Sequence, residues 1–379
     1  MMVAGLPKNM ELPLTGIRVL DATSNIAGPF GGSILGDLGA TVTKIESPDG
    51  DPSRSMVPLD GDRSAYFHIV NRNKDIEVID LKSENGKLRI GELLDTADVF
   101  LTNFMPARLQ SLNLSPAELM SQRPTLIIGN LSSYGTTGPS TSWPGYDATV
   151  QARTGIMHIT GEKDGPPVRT GISVLDIGSG MWLAMGVLAA IVKRNRTGIG
   201  GLVETSLYET GVSWVSYHLA AHELTKTPSV RSGSGHPTFS PYGVFATKQG
   251  DICIGVGNDN IFSKLATQIS RPDLISDIRF LKNIDRVLYA SDLRVEIERS
   301  LVHEDSTYWT LKLAAAGIPV DAVVAPEALF SDPQALAVEI FVDYPDSTAG
   351  ITSIPGLPLR FDGQRPQIRL PAPHKIVKD

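Results

Sequence analysis

A single cysteine, Cys253, stands among 379 residues, so no internal disulfide can form. This fits a reducing compartment, and the cytoplasm is the expected location. No strong excess of one charge is present either: 34 Lys and Arg against 41 Asp and Glu leave a net charge of −7. Such a chain is not expected to offer a general nucleic-acid or membrane surface. Residues 1–11 lack a basic segment followed by a long apolar run, so no signal peptide is expected there. The longest uncharged stretch, residues 177–192, falls short of the about 20 residues that span a bilayer. It contains Gly178, Ser179 and Gly180, which suit close helix packing, and it reads as a buried helix. Neither a Gly-x-x-x-x-Gly-Lys-Ser loop nor a Gly-x-Ser-x-Gly elbow occurs.

What is present is alternation. Residues 17–21 read as a strand, 27–38 as a helix stopped by Gly39, and 41–45 as a second strand. Strand, helix, strand in that order must pair in parallel. Residues 75–80, 98–102 and 125–129 continue the strands. Residues 84–96 and 115–122 continue the helices, the latter with Ser115, Pro116 and Glu118 at its start. This predicts a doubly wound, Rossmann-like parallel α/β sheet. The pattern changes near residue 215. A stretch rich in Gly, Ser and Pro, 228–241, precedes an antiparallel hairpin over 242–247 and 251–255. Helices follow over 261–269 and 291–301, then a strand over 321–324. The expected division is a large domain, 1–215 completed by 326–379, and a small α+β domain, 216–325. The Pro-rich tail, 354–373, is too long for a free arm and is expected to pack on the fold.

Several residues carry candidate chemistry. Asp176 precedes the uncharged helix and reads either as its N-cap, aided by Ser179, or as a carboxylate kept ionised by the helix N-terminus. Its small neighbours are read as leaving room for a substrate. The turn from Ala27 to Gly32 follows a strand and opens a helix, yet lacks the Gly-x-Gly-x-x-Gly spacing of a dinucleotide site. It is read as a phosphate loop or a tightly packed turn. Glu46 stands where a dinucleotide-binding unit places a ribose-binding acid but reads, taken alone, as a solvated strand end, and the run Asn71-Arg72-Asn73-Lys74 reads as a solvated polar loop. Asn103 and Phe104 leave a strand at its carboxyl end, where ligands of open α/β sheets bind. His218 and His222 have the i, i+4 spacing of a zinc pair but no third ligand nearby, so no metal site is expected.

In order, these pieces resemble the class III CoA-transferase family, of the formyl-CoA and carnitine CoA-transferase type. The carriers are Leu14-Thr-Gly-Ile-Arg-Val-Leu-Asp21 with Ala27-Gly28-Pro29, and Leu38-Gly-Ala-Thr-Val-Thr-Lys-Ile-Glu46. Asn71-Arg-Asn-Lys74, Asp98-Val-Phe-Leu-Thr-Asn-Phe104 and Arg194-Asn-Arg-Thr-Gly198 follow at similar spacing. The resemblance implies a CoA-transferase acting on an acyl-CoA and a small carboxylic acid, with Asp176 as nucleophile. It implies no prosthetic group, coenzyme A entering as a thioester substrate. It also implies an interlocked homodimer.

Residue by residue, the resemblance places Ile26 and Ala27 at the thioester. Glu46, Ser47, Ile79 and Lys82 fall at the adenosine and phosphate end, and Asn103 and Phe104 beside the pantetheine. The chain departs from the pattern at Ile26, where some members carry Gln, and at Ser111, where many carry Arg. Arg108, one helical turn before Ser111, is expected to take over the phosphate contact. Tyr146, Asp147, Gly235 and His236 are expected around the acid. Two alternatives stand beside transfer. An α-methylacyl-CoA racemase has the same fold, but Tyr146 occupies the place of its His base. The other is a non-catalytic CoA-binding subunit, which an intact Asp176 argues against.

Overall fold

The computed structural model describes residues 11–346 and 350–374. The expectation of no signal peptide falls almost wholly on residues 1–10, outside the described residues. The chain forms two compact units. The first comprises Met1–Ile156, Thr170–Ala220 and Asp332–Asp379, the second Met157–Arg169 and Ala221–Ser331. The segment 157–169, placed by the sequence reading in the first unit, groups with the second.

In the first unit the elements run β1 (Arg18–Asp21), α1 (Ala27–Asp37), β2 (Thr41–Glu46), α2 (Ala65–Asn71), β3 (Lys74–Val78) and α3 (Glu84–Thr96). They continue with β4 (Val99–Thr102), α4 (Pro106–Ser111), α5 (Pro116–Gln122), β5 (Ile127–Ser132) and α6 (Asp147–Arg153). Then come α7 (Val174–Thr197), β6 (Gly201–Ser206) and α8 (Leu207–Trp214). The six strands form one parallel sheet in the order β3-β2-β1-β4-β5-β6. The order reverses between β1 and β4, and a crevice opens there at the carboxyl ends of the strands. β4 is buried along its whole length, as a strand covered on both faces must be. Phe100, Ile128, Leu94 and Leu119 pack one face of the sheet against α3 and α5.

Several boundaries follow from local chemistry. α3 occupies the expected residues because the Ser83 hydroxyl accepts from the Gly86 N–H. β6 was absent from the sequence reading. It begins just after Gly200 and is half exposed, as an edge strand is. α7 is longer than the uncharged stretch, because Lys193, Arg194 and Arg196 fall in its last turns, where cations suit a helix C-terminus. Gly198 ends it at φ 72°. By length and composition alone α7 could cross a membrane. In this fold it packs against α1, β5, β6 and α8. It is buried on one face only: Met181, Trp182 and Met185 are exposed, contrary to the expectation of a buried helix.

The tail packs on the first unit as expected. Asn73 Oδ1 accepts from the Arg369 and Leu370 N–H groups, and Arg54 donates to the Pro373 carbonyl. The second unit holds a three-stranded antiparallel sheet of β7 (Tyr242–Ala246), β8 (Asp251–Gly255) and β9 (Val320–Ala322), with β8 central. Its core gathers Phe245, Ile254, Phe262, Leu293, Trp309 and Leu313.

Candidate active site

Asp176 lies in the first turn of α7, but it is not the N-cap. Ser173 precedes the helix and its side chain makes no capping bond. The cap comes from a neighbouring helix. Asp147, at the start of α6, accepts through Oδ2 from the Leu175 N–H at 2.7 Å and the Asp176 N–H at 3.2 Å. Its Oδ1 accepts from Gln151 Nε2, one turn along α6. Gln151 also donates to Thr170 Oγ1 at 3.1 Å and accepts from the Thr170 N–H at 3.0 Å. Both Asp147 oxygens are therefore engaged within the fold; of its two expected roles, orienting substrate or hydrogen-bonding near Asp176, the second is the one these bonds match.

Burial, and then the Asp147 charge beside it, push the Asp176 carboxyl up to about 7. The expectation that the helix end keeps Asp176 ionised is thereby reversed, because Asp147 already occupies that end. Tyr146, one residue earlier, leaves its ring 71% exposed.

The small residues beyond Asp176 are filled by packing, so they leave no room of their own for a ligand. A Cβ on Gly178 would lie 2.3 Å from the Trp214 ring. The Ser179 and Thr210 hydroxyls are 2.9 Å apart. A Cβ on Gly180 would lie 2.5 Å from the Ala27 carbonyl oxygen and 3.1 Å from the Gly31 nitrogen. Gly31 of the turn opening α1 thus serves close packing, and Ala27 is brought against α7 one turn beyond Asp176.

A cleft of about 740 Å³ opens at the carboxyl ends of β1 and β2. Glu46, Ser47, Ile79, Lys82, Phe104 and Arg108 line it together, whereas Ile26, Ala27 and Asn103 are not among its lining residues. Ser111 lines it too, one turn along α4 from Arg108. The Arg108 guanidinium lies 3.9 Å over the Phe104 ring. Asn103 braces the loop after β1, donating to the Ser24 carbonyl at 2.9 Å and accepting from the Ser24 N–H at 3.1 Å.

Glu46 is no solvated strand end. It is buried, and both its oxygens accept from Arg54 at 2.9 Å. Nor is Asn71-Arg72-Asn73-Lys74 a solvated loop, since all four residues are buried. Arg72 and Asn73 bind Asp37, while Lys74 Nζ reaches Asp21, the Pro29 carbonyl and Asn71. Burial opposes ionisation of Asp21, but Lys74 and Lys44 outweigh it and hold the carboxyl below its usual range. Lys44, fully buried, donates to Asp51 at 2.8 Å and to the Thr23 carbonyl at 3.0 Å, tying two walls of the cleft together. The sequence reading missed Lys44, Asp51, Arg54 and Gln151. One signal was there: a lysine inside the apolar run Val42-Thr-Lys-Ile45 needs a buried partner.

In the second unit, Gly235 and His236 line a separate cleft of about 840 Å³ with Lys163, Arg231 and Arg294. The His236 ring lies between Phe239 and Tyr242, with centroids 5.1 and 5.2 Å away, and its Nδ1 meets Thr238 Oγ1 at 2.9 Å.

Known proteins share this sequence pattern and fold. The model of CoA-transferase family III matches residues 14–375. An acetyl-CoA:oxalate CoA-transferase of Acetobacter aceti is 34% identical over 359 residues, 94% of this chain and 91% of the relative. A succinyl-CoA:glutarate CoA-transferase of Mus musculus is 33% identical over 351 residues, 92% of this chain and 80% of the relative. A CAIB/BAIF family protein from Brucella suis superposes with a TM-score of 0.86 at 30% identity, covering 96% of this chain and 97% of that one. With nearly the whole chain matched, the protein belongs to CoA-transferase family III and is an enzyme of that class.

Proposed function

We propose that the enzyme moves coenzyme A from an acyl-CoA thioester to a small free carboxylic acid, with Asp176 as covalent nucleophile. The observation that carries this reading is Asp176 itself. Its carboxylate sits in a desolvated helix turn beside Asp147, with no hydrogen bond to it among the described residues, and its pKa is raised to about 7. A more basic carboxylate is a better nucleophile, and at neutral pH a large fraction is ionised.

The Asp176 carboxylate attacks the thioester carbonyl, forming an anhydride C–O bond as the C–S bond breaks and the CoA thiolate leaves. The thiolate then attacks the Asp176 carbonyl carbon, forming aspartyl-CoA and releasing the donor acid as a carboxylate. The acceptor carboxylate attacks that thioester to give a second anhydride and thiolate. Attack of the thiolate on the acceptor's carbonyl yields the new acyl-CoA and restores Asp176. Charge and atoms balance at each step, and the chemistry calls for no metal, ATP or prosthetic group. Water must be kept out while an anhydride exists.

Lys82 and Arg108 suit the phosphates of the nucleotide end, because no ion pair engages either among the described residues. Phe104 and Ile79 supply an apolar wall, Glu46 and Ser47 frame the cleft, and Asn103 shapes its pantetheine side. Ile26 and Ala27 fall to the thioester. Tyr146, with its free ring, is assigned to the acid. Gly235 and His236 keep a substrate role through their own cleft, where Arg231 and Lys163 favour a carboxylate. The relatives named for oxalate and glutarate support a small acid as acceptor. Racemisation is less well supported, since the exposed Tyr146 and the fully bonded Asp147 make a poor acid/base pair. The reading includes a cytoplasmic, interlocked homodimer, for which the exposed face of Met181, Trp182 and Met185 gives an apolar surface.

Incubation with acyl-CoA followed by mass spectrometry tests the mechanism. A covalent adduct on Asp176 is expected. Full transferase activity in Asp176→Ala would sink it.

A further inference from the structure

Resting on Asp176 as the nucleophile, we infer that Asp147 is a positioning residue. Locked by Gln151 and Thr170, it takes the free N–H groups at the start of α7 and so withholds them from the Asp176 carboxylate.

A helix begins with backbone donors that lack intrahelical acceptors, and each needs a partner. At the start of α7 they can be followed one by one. The Val174 N–H donates to the Ile172 carbonyl at 2.9 Å, and the Ile177 N–H to the Ser173 carbonyl at 3.0 Å. The two between them, on Leu175 and Asp176, both donate to Asp147 Oδ2. No donor in this turn is left for the side chain of Asp176. An acid in the first turn of a helix is ordinarily stabilised by such groups and by the helix dipole. Here another carboxylate, 6% exposed, has displaced it from that role.

The lock makes the arrangement specific. Gln151, fully buried, holds Asp147 Oδ1 with one side-chain nitrogen and grips both the N–H and the hydroxyl of Thr170. Thr170 Oγ1 donates in turn to the Ile172 carbonyl at 2.9 Å. The segment entering α7 is thereby fixed to α6, and Asp147 cannot swing aside to let Asp176 cap the helix. The two carboxylates do different work: one is permanently bonded and one is kept unbonded.

The electrostatic sources are few. The elements packed against α7 are α1, β5, β6, α6 and α8. Their charged or titratable residues are Asp37 on α1, Glu204 on β6, Tyr208 and Glu209 on α8, and Asp147 and Arg153 on α6. Of these, only Asp147 acts on Asp176, adding to the effect of burial to bring its pKa to about 7.

The test is the pH dependence of adduct formation on the full chain, with acetyl-CoA as donor and no acceptor acid, read by rapid quench and mass spectrometry. Wild type is expected to show a midpoint near 7. Asp147→Asn, isosteric but neutral, moves the midpoint toward acid by about one unit. A midpoint moved from 7 to 6 raises the ionised fraction at pH 6 from about 9% to about 50%, so the rate there, taken relative to each protein's own high-pH plateau, rises about fivefold. Asp147→Glu, which restores the charge, returns the midpoint toward wild type. A thermal melt checks folding, and Asp147→Ser, smaller and also neutral, replaces Asp147→Asn if that variant fails to fold. A merely structural role would lower the rate at every pH without moving the midpoint. An unmoved midpoint in a folded neutral variant overturns the inference while leaving the nucleophile in place. If wild type forms no adduct at any pH, Asp176 is not the nucleophile and both readings fall.

Discussion

Replacing Gly180 by alanine asks how tightly α1 and α7 must meet for the site to exist. The added Cβ would stand 2.5 Å from the Ala27 carbonyl oxygen, 3.1 Å from the Gly31 nitrogen and 3.1 Å from Phe30 Cδ1. The first two are backbone atoms of α1, so no rotamer change can relieve the contact. Ordinary van der Waals distance requires the helices to part by about 1 Å, an overpacking cost at the upper end of about 1–3 kcal/mol. Alanine favours the helix over glycine by about 1 kcal/mol, so a net loss of about 2 kcal/mol remains. Gly91, inside α3, is the internal control. A Cβ there meets nothing within 4 Å, so Gly91→Ala should stabilise the same unit by up to about 1 kcal/mol. The same chemical change in one unit is thus expected to act with opposite signs, about 3 kcal/mol apart. Urea titration followed by far-ultraviolet circular dichroism measures the gap. Gly180→Ala should also slow adduct formation at Asp176, because Ala27 is carried away with α1. Equal stability of the two variants would refute the packing argument.

Two further outcomes follow from the cleft. Arg108→Ala should raise KM for CoA esters by about tenfold or more, with kcat little changed, because one charge-assisted hydrogen bond is worth about 1.5–3 kcal/mol. An unchanged KM in steady-state kinetics would remove Arg108 from the phosphate site. Lys44→Met leaves Asp51 buried without its cation and should destabilise the first unit by about 3–5 kcal/mol in the same urea assay. A loss below about 1 kcal/mol would mean that the pair does not brace the cleft.

The legible part of this fold is the part set by near neighbours in sequence. The βα alternation predicts the parallel sheet, and the run 84–96 predicts α3 at its true bounds. The hairpin of β7 and β8 was readable because its turn and both strands are contiguous. Of the residues that resemblance to a family assigns to the coenzyme, Glu46, Ser47, Ile79, Lys82, Phe104 and Arg108 share one cavity and Asn103 does not. What failed depends on partners distant in the chain. Arg72 looks solvated until Asp37 is brought beside it by the parallel pairing of β2 with β3. Glu46 looks like a free acid until the 3-10 turn that follows β2 delivers Arg54.

Asp147 shows most sharply why the site itself was harder to read than the fold. As a dipeptide, Tyr146-Asp147 invites a joint reading as acid/base partners, or as two contacts to one substrate. The start of α6 separates them. Tyr146 precedes the helix with extended backbone, and its ring points to solvent. Asp147 is the first helical residue, and its carboxylate is carried inward to a helix that begins 27 residues later. The sequence offers Asp147 as a hydrogen-bonding neighbour of Asp176, but not which groups of α7 it engages. Which of the two would cap the helix and which would stay free depends on Gln151, whose i, i+4 relation to Asp147 matters only once Thr170 is placed opposite it. A nucleophile was therefore visible as a residue, while its reactivity is a property of the three side chains that keep it from capping its own helix.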